Sequence, residues 1–258
     1  MSSKIKEEMK VHSHFIIKTE SEWHLRGQDR MQTLLIDDLT SKSSIRVLSI
    51  SAITIVLLLL ALFNFKPLQL FIVLIGNLNP TGSYYHLVGG FFLMIIVPFI
   101  GMMTCTEYII KERTEKNLRT IISKVSRSEY LTARYLGITI KIIALYVIGI
   151  LTIMIYSGMY AQYIYLELSI DLLVSGITAS LFFGAIALLS SLISTNSSLI
   201  TAGFFTLNGI MMLVSPLKYI SVFNYITETI QPAAIMYYLT GSILVICISY
   251  IIFTKRRL

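Results

Sequence analysis

A chain of 258 residues that is 55% hydrophobic and only 14% charged, with a mean hydropathy of +0.75, has too little polar surface for a soluble globular domain. Its net charge of +7 is accounted for by charge asymmetry across a membrane, so nucleic acid is not an expected partner. The expected class is an all-α integral membrane protein with six transmembrane helices and both termini cytoplasmic.

Residues 1–44 read as a cytoplasmic N-terminal arm. Within it Met31, Leu34, Leu35 and Leu39 recur at i, i+3, i+4 and i+8, with Asp29, Arg30, Asp37 and Asp38 on or near the other side. This pattern predicts an interfacial helix leading into the first span. His12 and His14 make a His-x-His pair with no cysteine nearby, which is too little for a metal site.

Charge-free runs follow at 47–65, 67–106, 142–166, 172–217 and 229–254, and a bilayer core takes about 20 helical residues. The expected spans are 47–65, 87–106, 137–157, 169–193, 197–215 and 234–254. LQLFIVLI at 68–75 is too short to span and reads as an interfacial or re-entrant piece, or as a tilted extension of the first span. With the N-terminus inside, segments 1–46, 107–135 and 255–257 hold eighteen lysines and arginines, against Lys66 and Lys218 outside. That ratio sets the orientation. Tyr84, Tyr85, Tyr156, Tyr160, Tyr163, Tyr165, Tyr219 and Tyr225 gather near the expected outer ends, as an aromatic belt does. The expected location is the plasma membrane, multi-pass.

Between the second and third spans the chain becomes densely polar. Ile110, Leu118, Ile121, Ile122 and Val125 form an apolar stripe at helical spacing, while Glu112 to Lys116 and Glu115 to Arg119 are i,i+4 pairs. Ser126 and Glu129 make a Ser-x-x-Glu capping box, so one helix ends at Val125-Ser126 and another begins. Residues 107–135 are therefore an elbow of helix, break and helix joining two spans. Lys141, about one turn into the third span, is expected to snorkel to the inner interface.

Gly176, Ser180, Gly184, Ala187 and Ser191 in the fourth span form a small-residue packing stripe. The chain is expected to fold back at Ser194-Thr195-Asn196-Ser197. In the fifth span Ser197, Thr201, Asn208 and Ser215 share one face. They read either as the wall of a translocation cavity or as interhelical hydrogen-bonding groups. Residues 216–232 are amphipathic and too short and charged to span. Cys105 and Cys247 both lie within spans and read as packing residues.

The missing groups narrow the function. No ionisable residue falls near the middle of a span, which disfavours an ion-coupled carrier. No clustered nucleophile, base or metal ligands point to intramembrane catalysis. No GxxxxGK[ST] loop occurs, so any ATP must be hydrolysed by a partner.

From Glu107 through Glu112-Arg113-Thr114-Glu115-Lys116-Asn117-Leu118, Val125-Ser126-Arg127-Ser128-Glu129-Tyr130 and Tyr135-Leu136-Gly137, the elbow resembles that of the type 2 ATP-binding-cassette (ABC) transporter permeases, membrane subunits of many prokaryotic exporters. It departs from them at Lys116-Asn117, where many members have a small residue. The resemblance covers about 45–258 and implies a six-helix permease domain, paired with a second copy or a paralogue, on two cytoplasmic ABC ATPase subunits. It also implies a coupling helix in the elbow, with Glu107, Glu112, Glu115, Lys116, Leu118, Arg119, Ser126, Arg127 and Glu129 as ATPase-coupling residues. Thr201, Asn208 and Ser215 would then face the substrate path, and 216–232 would form a re-entrant outer segment. The chain itself would bind no cofactor and no metal and would not be an enzyme, ATP and Mg being bound by the partner. The alternatives are a secondary carrier or a non-transporting membrane scaffold. The apolar spans suit amphiphilic cargo.

Overall fold

The computed structural model describes residues 27–67, 70, 84–114, 121, 125–160, 166–194, 196–214 and 232–255. Among these residues the chain is all helix, in seven elements: α1 (Gly27–Thr40), α2 (Lys42–Asn64), α3 (Tyr84–Thr114), α4 (Arg127–Tyr160), α5 (Leu166–Ile193), α6 (Ser197–Leu213) and α7 (Pro232–Lys255). Helix starts follow local chemistry. Ser41 breaks α1 from α2, its Oγ accepting from the Ser44 amide at 3.3 Å, and Asn196 caps α6 by accepting from the Leu199 amide at 3.1 Å. A helix break therefore stands where the fold-back is expected, between Ile193 and Ser197.

Five helices carry stretches long and apolar enough to cross a bilayer: Lys42–Asn64, Val88–Thr106, Arg127–Tyr160, Leu166–Ile193 and Ala233–Lys255. The sixth expected span, 197–215, corresponds to α6. Its 17 residues extend about 26 Å, short of the roughly 30 Å hydrocarbon core, and the residues that directly follow Val214 lie outside the described ones. So do 215–231, almost all of the 68–75 piece, and the arm histidines.

α5 is the central element: 61% of its apolar segment is buried, against 22% for α2 and α7. It packs on α3, α4 and α7, while α2 lies on α3 and α4, and α6 on α3. Small residues set these approaches. Gly89 faces Ile153 and Gly149 faces Leu93 across α3 and α4, in the descending register of antiparallel neighbours. Gly176 faces Tyr146, and Gly184 faces Thr139, across α4 and α5. The expected packing stripe of the fourth span thus lies against α4.

At the end of the bundle away from the elbow, Phe63, Tyr85, Tyr156 and Tyr160 gather their rings at centroid distances between 4.3 and 5.4 Å. His86, just before the apolar segment of α3, is buried and lies 3.1 Å from the Ser169 hydroxyl. Burial lowers its pKa below the ordinary histidine value. The outward faces are apolar, with Ile53 and Leu57 on α2, Leu151 and Ile155 on α4, and Ile243 and Leu244 on α7 all exposed. This is the architecture of a multi-pass membrane protein. Cys105 is buried and Cys247 exposed, and both are free.

Candidate functional site

α3 continues past its apolar segment to Thr114 without interruption, the chain bends at Val125, and α4 starts at Arg127. The break is built by the capping box. The Ser126 amide donates to Glu129 Oε2 at 2.9 Å, the Ser126 hydroxyl donates to the same oxygen at 2.7 Å, and the Glu129 amide donates back to Ser126 Oγ at 3.3 Å. Two amides at the start of α4 that lack intrahelical partners are satisfied in this way.

Two further contacts tie the elbow to the rest of the bundle. Arg127 donates from a terminal guanidinium nitrogen to the Thr254 carbonyl at 2.7 Å, placing a cation on the negative end of α7. Tyr130, 1% exposed, stacks on Phe253 with centroids 5.6 Å apart and planes 17° off parallel. Val125 and Ala133 are buried with Leu34 in a small apolar cluster that Met31 and Ile121 flank. The elbow is thus packed against α1 and α7 as well as α4.

Beside this cluster lies a buried charge group. Asp38 Oδ1 accepts from the Lys141 ammonium at 3.0 Å and lies 3.4 Å from the Arg134 guanidinium. The three residues are 1%, 8% and 2% exposed respectively. Arg134, Gly137 and Lys141 fall on one face of α4 at i, i+3 and i+7. A Cβ at Gly137 would collide with Asp38 Oδ2, so the glycine is what lets the carboxylate settle on the helix. The guanidinium carbon of Arg134 also lies 5.4 Å from the Tyr130 ring centroid. A continuous set of contacts therefore runs from Asp38 on α1 through Arg134 and Tyr130 on α4 to Phe253 on α7.

Two expectations from the sequence change here. Asp38 does not sit on the polar side of α1: it continues the Met31 and Leu34 stripe at i+7 and i+4 and is buried, whereas its neighbour Asp37 is exposed. Lys141 is not solvated, because its ammonium is held by Asp38 within the bundle. The signal was present in the helical spacing and in the rule that an intramembrane cation needs a partner. Missing was the knowledge that α1 folds onto α4.

Of the proposed coupling residues, Ser126, Arg127 and Glu129 come together in the elbow. Glu107 and Glu112 lie on α3, and Glu115, Lys116, Leu118 and Arg119 fall outside the described residues. Of the proposed path residues, Thr201 and Asn208 are both buried on α6. The Asn208 amide donates to the Phe204 carbonyl of its own helix at 2.9 Å, and Ser215 is outside the described residues. No group of three or more histidine, cysteine or acidic side chains suited to a metal occurs among the described residues.

Ser126→Ala is expected to cost about 1 kcal/mol. The Ser126→Ala/Glu129→Ala pair should cost less than the sum of the single changes, since each breaks the same reciprocal bonds. Thermal unfolding of the three variants in detergent measures both values. Comparison with family models, curated proteins and solved structures returns no match.

Proposed function

We propose that this chain is the membrane-spanning permease subunit of an ATP-driven exporter, inserted in the plasma membrane with its elbow in the cytoplasm. It would form the substrate path with a second copy or a paralogue and be driven by a separate ATPase. The observation that carries this reading is the elbow: a capped break between two long helices, packed on α1 and α7, so that a push at the break is passed into α3 and α4 as rigid-body tilt. The eighteen-to-two charge count supports the orientation, and the lack of a GxxxxGK[ST] loop supports an external source of energy. α6 would supply the sixth span, with Thr201 and Asn208 on its path-facing side.

The engagement of Arg127 by Thr254 and of Glu129 by Ser126 gives these two residues the task of shaping the elbow. Partner contact then falls to Glu112, Glu115, Lys116 and Arg119. Affinity purification from native membranes is expected to bring down a P-loop ATPase with the intact chain and to lose it when these four become alanine, with membrane insertion unchanged. If no such ATPase accompanies the intact chain, the permease reading fails. One observation favours an ion-coupled carrier instead, the buried Asp38, Arg134 and Lys141. One carboxylate there meets two cations, at the elbow end and not mid-span, and uptake driven by an ion gradient without ATP would decide for that rival.

A further inference from the structure

Between α4, α5 and α7, beside the elbow, lies a cavity of about 190 Å³ lined by Leu131, Tyr135, Leu188, Ile246 and Tyr250, with Ser128 at the elbow end. Tyr250 is 47% exposed, so the cavity opens as a groove on the outer wall of the bundle. Ser128, Leu131 and Tyr135 stand at i, i+3 and i+7 of α4, and Ile246 and Tyr250 at i and i+4 of α7. The groove therefore follows the helix axes, for about 10 Å between Ser128 and Tyr135. Its wall is mainly apolar, interrupted by the hydroxyls of Ser128, Thr132 and Ser249 and by those of the two tyrosines.

Its elbow end carries cations. Arg127, adjacent to Ser128, lies on the Thr254 carbonyl and uses one of its five N–H donors there. Exposed Lys255 ends α7 five residues beyond Tyr250. The carboxylate in the first turn of α4, Glu129, is bound back to Ser126, and like Arg127 and Lys255 it stands outside the lining of the groove itself. An apolar slot along the membrane normal with a cationic mouth at headgroup level matches an acyl chain joined to a phosphate.

The geometry points to a binding site for an anionic phospholipid of the surrounding bilayer, one acyl chain lying between α4 and α7 and the phosphate meeting Arg127 and Lys255. A second copy of the chain suits the groove less well. In the same membrane it would bring its own basic elbow end to the same depth, setting cations against cations, whereas a lipid phosphate neutralises them. The inference rests on the membrane reading and on the elbow end facing headgroups, and it does not require the ATPase.

The test uses the single tryptophan of the chain, Trp23, replaced by Phe, with a reporter at Ile246→Trp in the groove. A second reporter at Leu188→Trp covers the case in which the first fails to fold. The full chain is placed in phosphatidylcholine nanodiscs containing either acyl-brominated phosphatidylglycerol or acyl-brominated phosphatidylcholine. The groove reporter should be quenched at a roughly fivefold or greater lower mole fraction of the anionic lipid. Arg127→Gln with Lys255→Gln should bring the two curves together. Equal quenching by both lipids in the unmodified background overturns the proposal, leaving only unspecific boundary lipid. Quenching by neither, with a crosslinkable dimer through α4 and α7, overturns it in favour of a second copy. Ile243→Trp, on the exposed face of α7, serves as control: quenching there by both lipids shows the bundle to be embedded, and its absence would sink the membrane reading itself.

Discussion

Asp38→Ala is expected to cost about 3–5 kcal/mol, because it leaves Arg134 and Lys141 buried without their carboxylate. Both cations address the same oxygen, at 3.4 and 3.0 Å, and the side chains of all three residues are at most 10% exposed. Neither cation can reach water without moving α1 off α4. The loss should appear as a large drop in the thermal unfolding midpoint in detergent, and Asp38→Asn should reproduce most of it by removing charge while keeping shape. Asp38→Leu combined with Lys141→Met should recover part of the loss, since apolar replacement of a buried pair is often close to neutral. A melting point for Asp38→Ala equal to that of the unmodified chain would show that α1 is not held by this pair. Gly137→Ala is expected to share the defect, as its methyl group would displace the same carboxylate.

Tyr130→Ala is expected to lose about 3–5 kcal/mol, the range for removing a large buried aromatic side chain. The ring fills the space between the elbow and α7, stacking on Phe253 and lying near the Arg134 guanidinium. Tyr130→Phe keeps both ring contacts and should retain most of that stability. The pair is informative because limited proteolysis at 115–126 should accelerate for Tyr130→Ala and scarcely for Tyr130→Phe. Equal losses in the two variants would locate the effect at the hydroxyl and contradict the stacking argument.

The elbow was legible because its signals are local. A capping box depends on two residues three apart, and Ser126 and Glu129 form the bonds their spacing predicts. The turn at Asn196 follows the same logic, and the small-residue stripe of α5 faces a neighbour as its period requires. The partners of Arg127 and Lys141 were not legible. Arg127 meets a carbonyl 127 positions away, and Lys141 a carboxylate 103 positions away. No local periodicity reports which helix lies opposite.

Composition, run lengths and capping residues by themselves determined that this chain is helical, that most of its helices are apolar enough to enter a bilayer, and where the elbow breaks. These features depend on hydrogen bonding and burial within one segment, and a segment's own residues specify them. Tertiary structure decided that α1 is a packed part of the bundle, that Asp38 faces inward, that Arg127 and Tyr130 fasten the elbow to α7, and that a groove opens beside it. Those outcomes depend on which surfaces meet across the bundle, where a carboxylate is tolerated inside only because two cations and a glycine on another helix receive it.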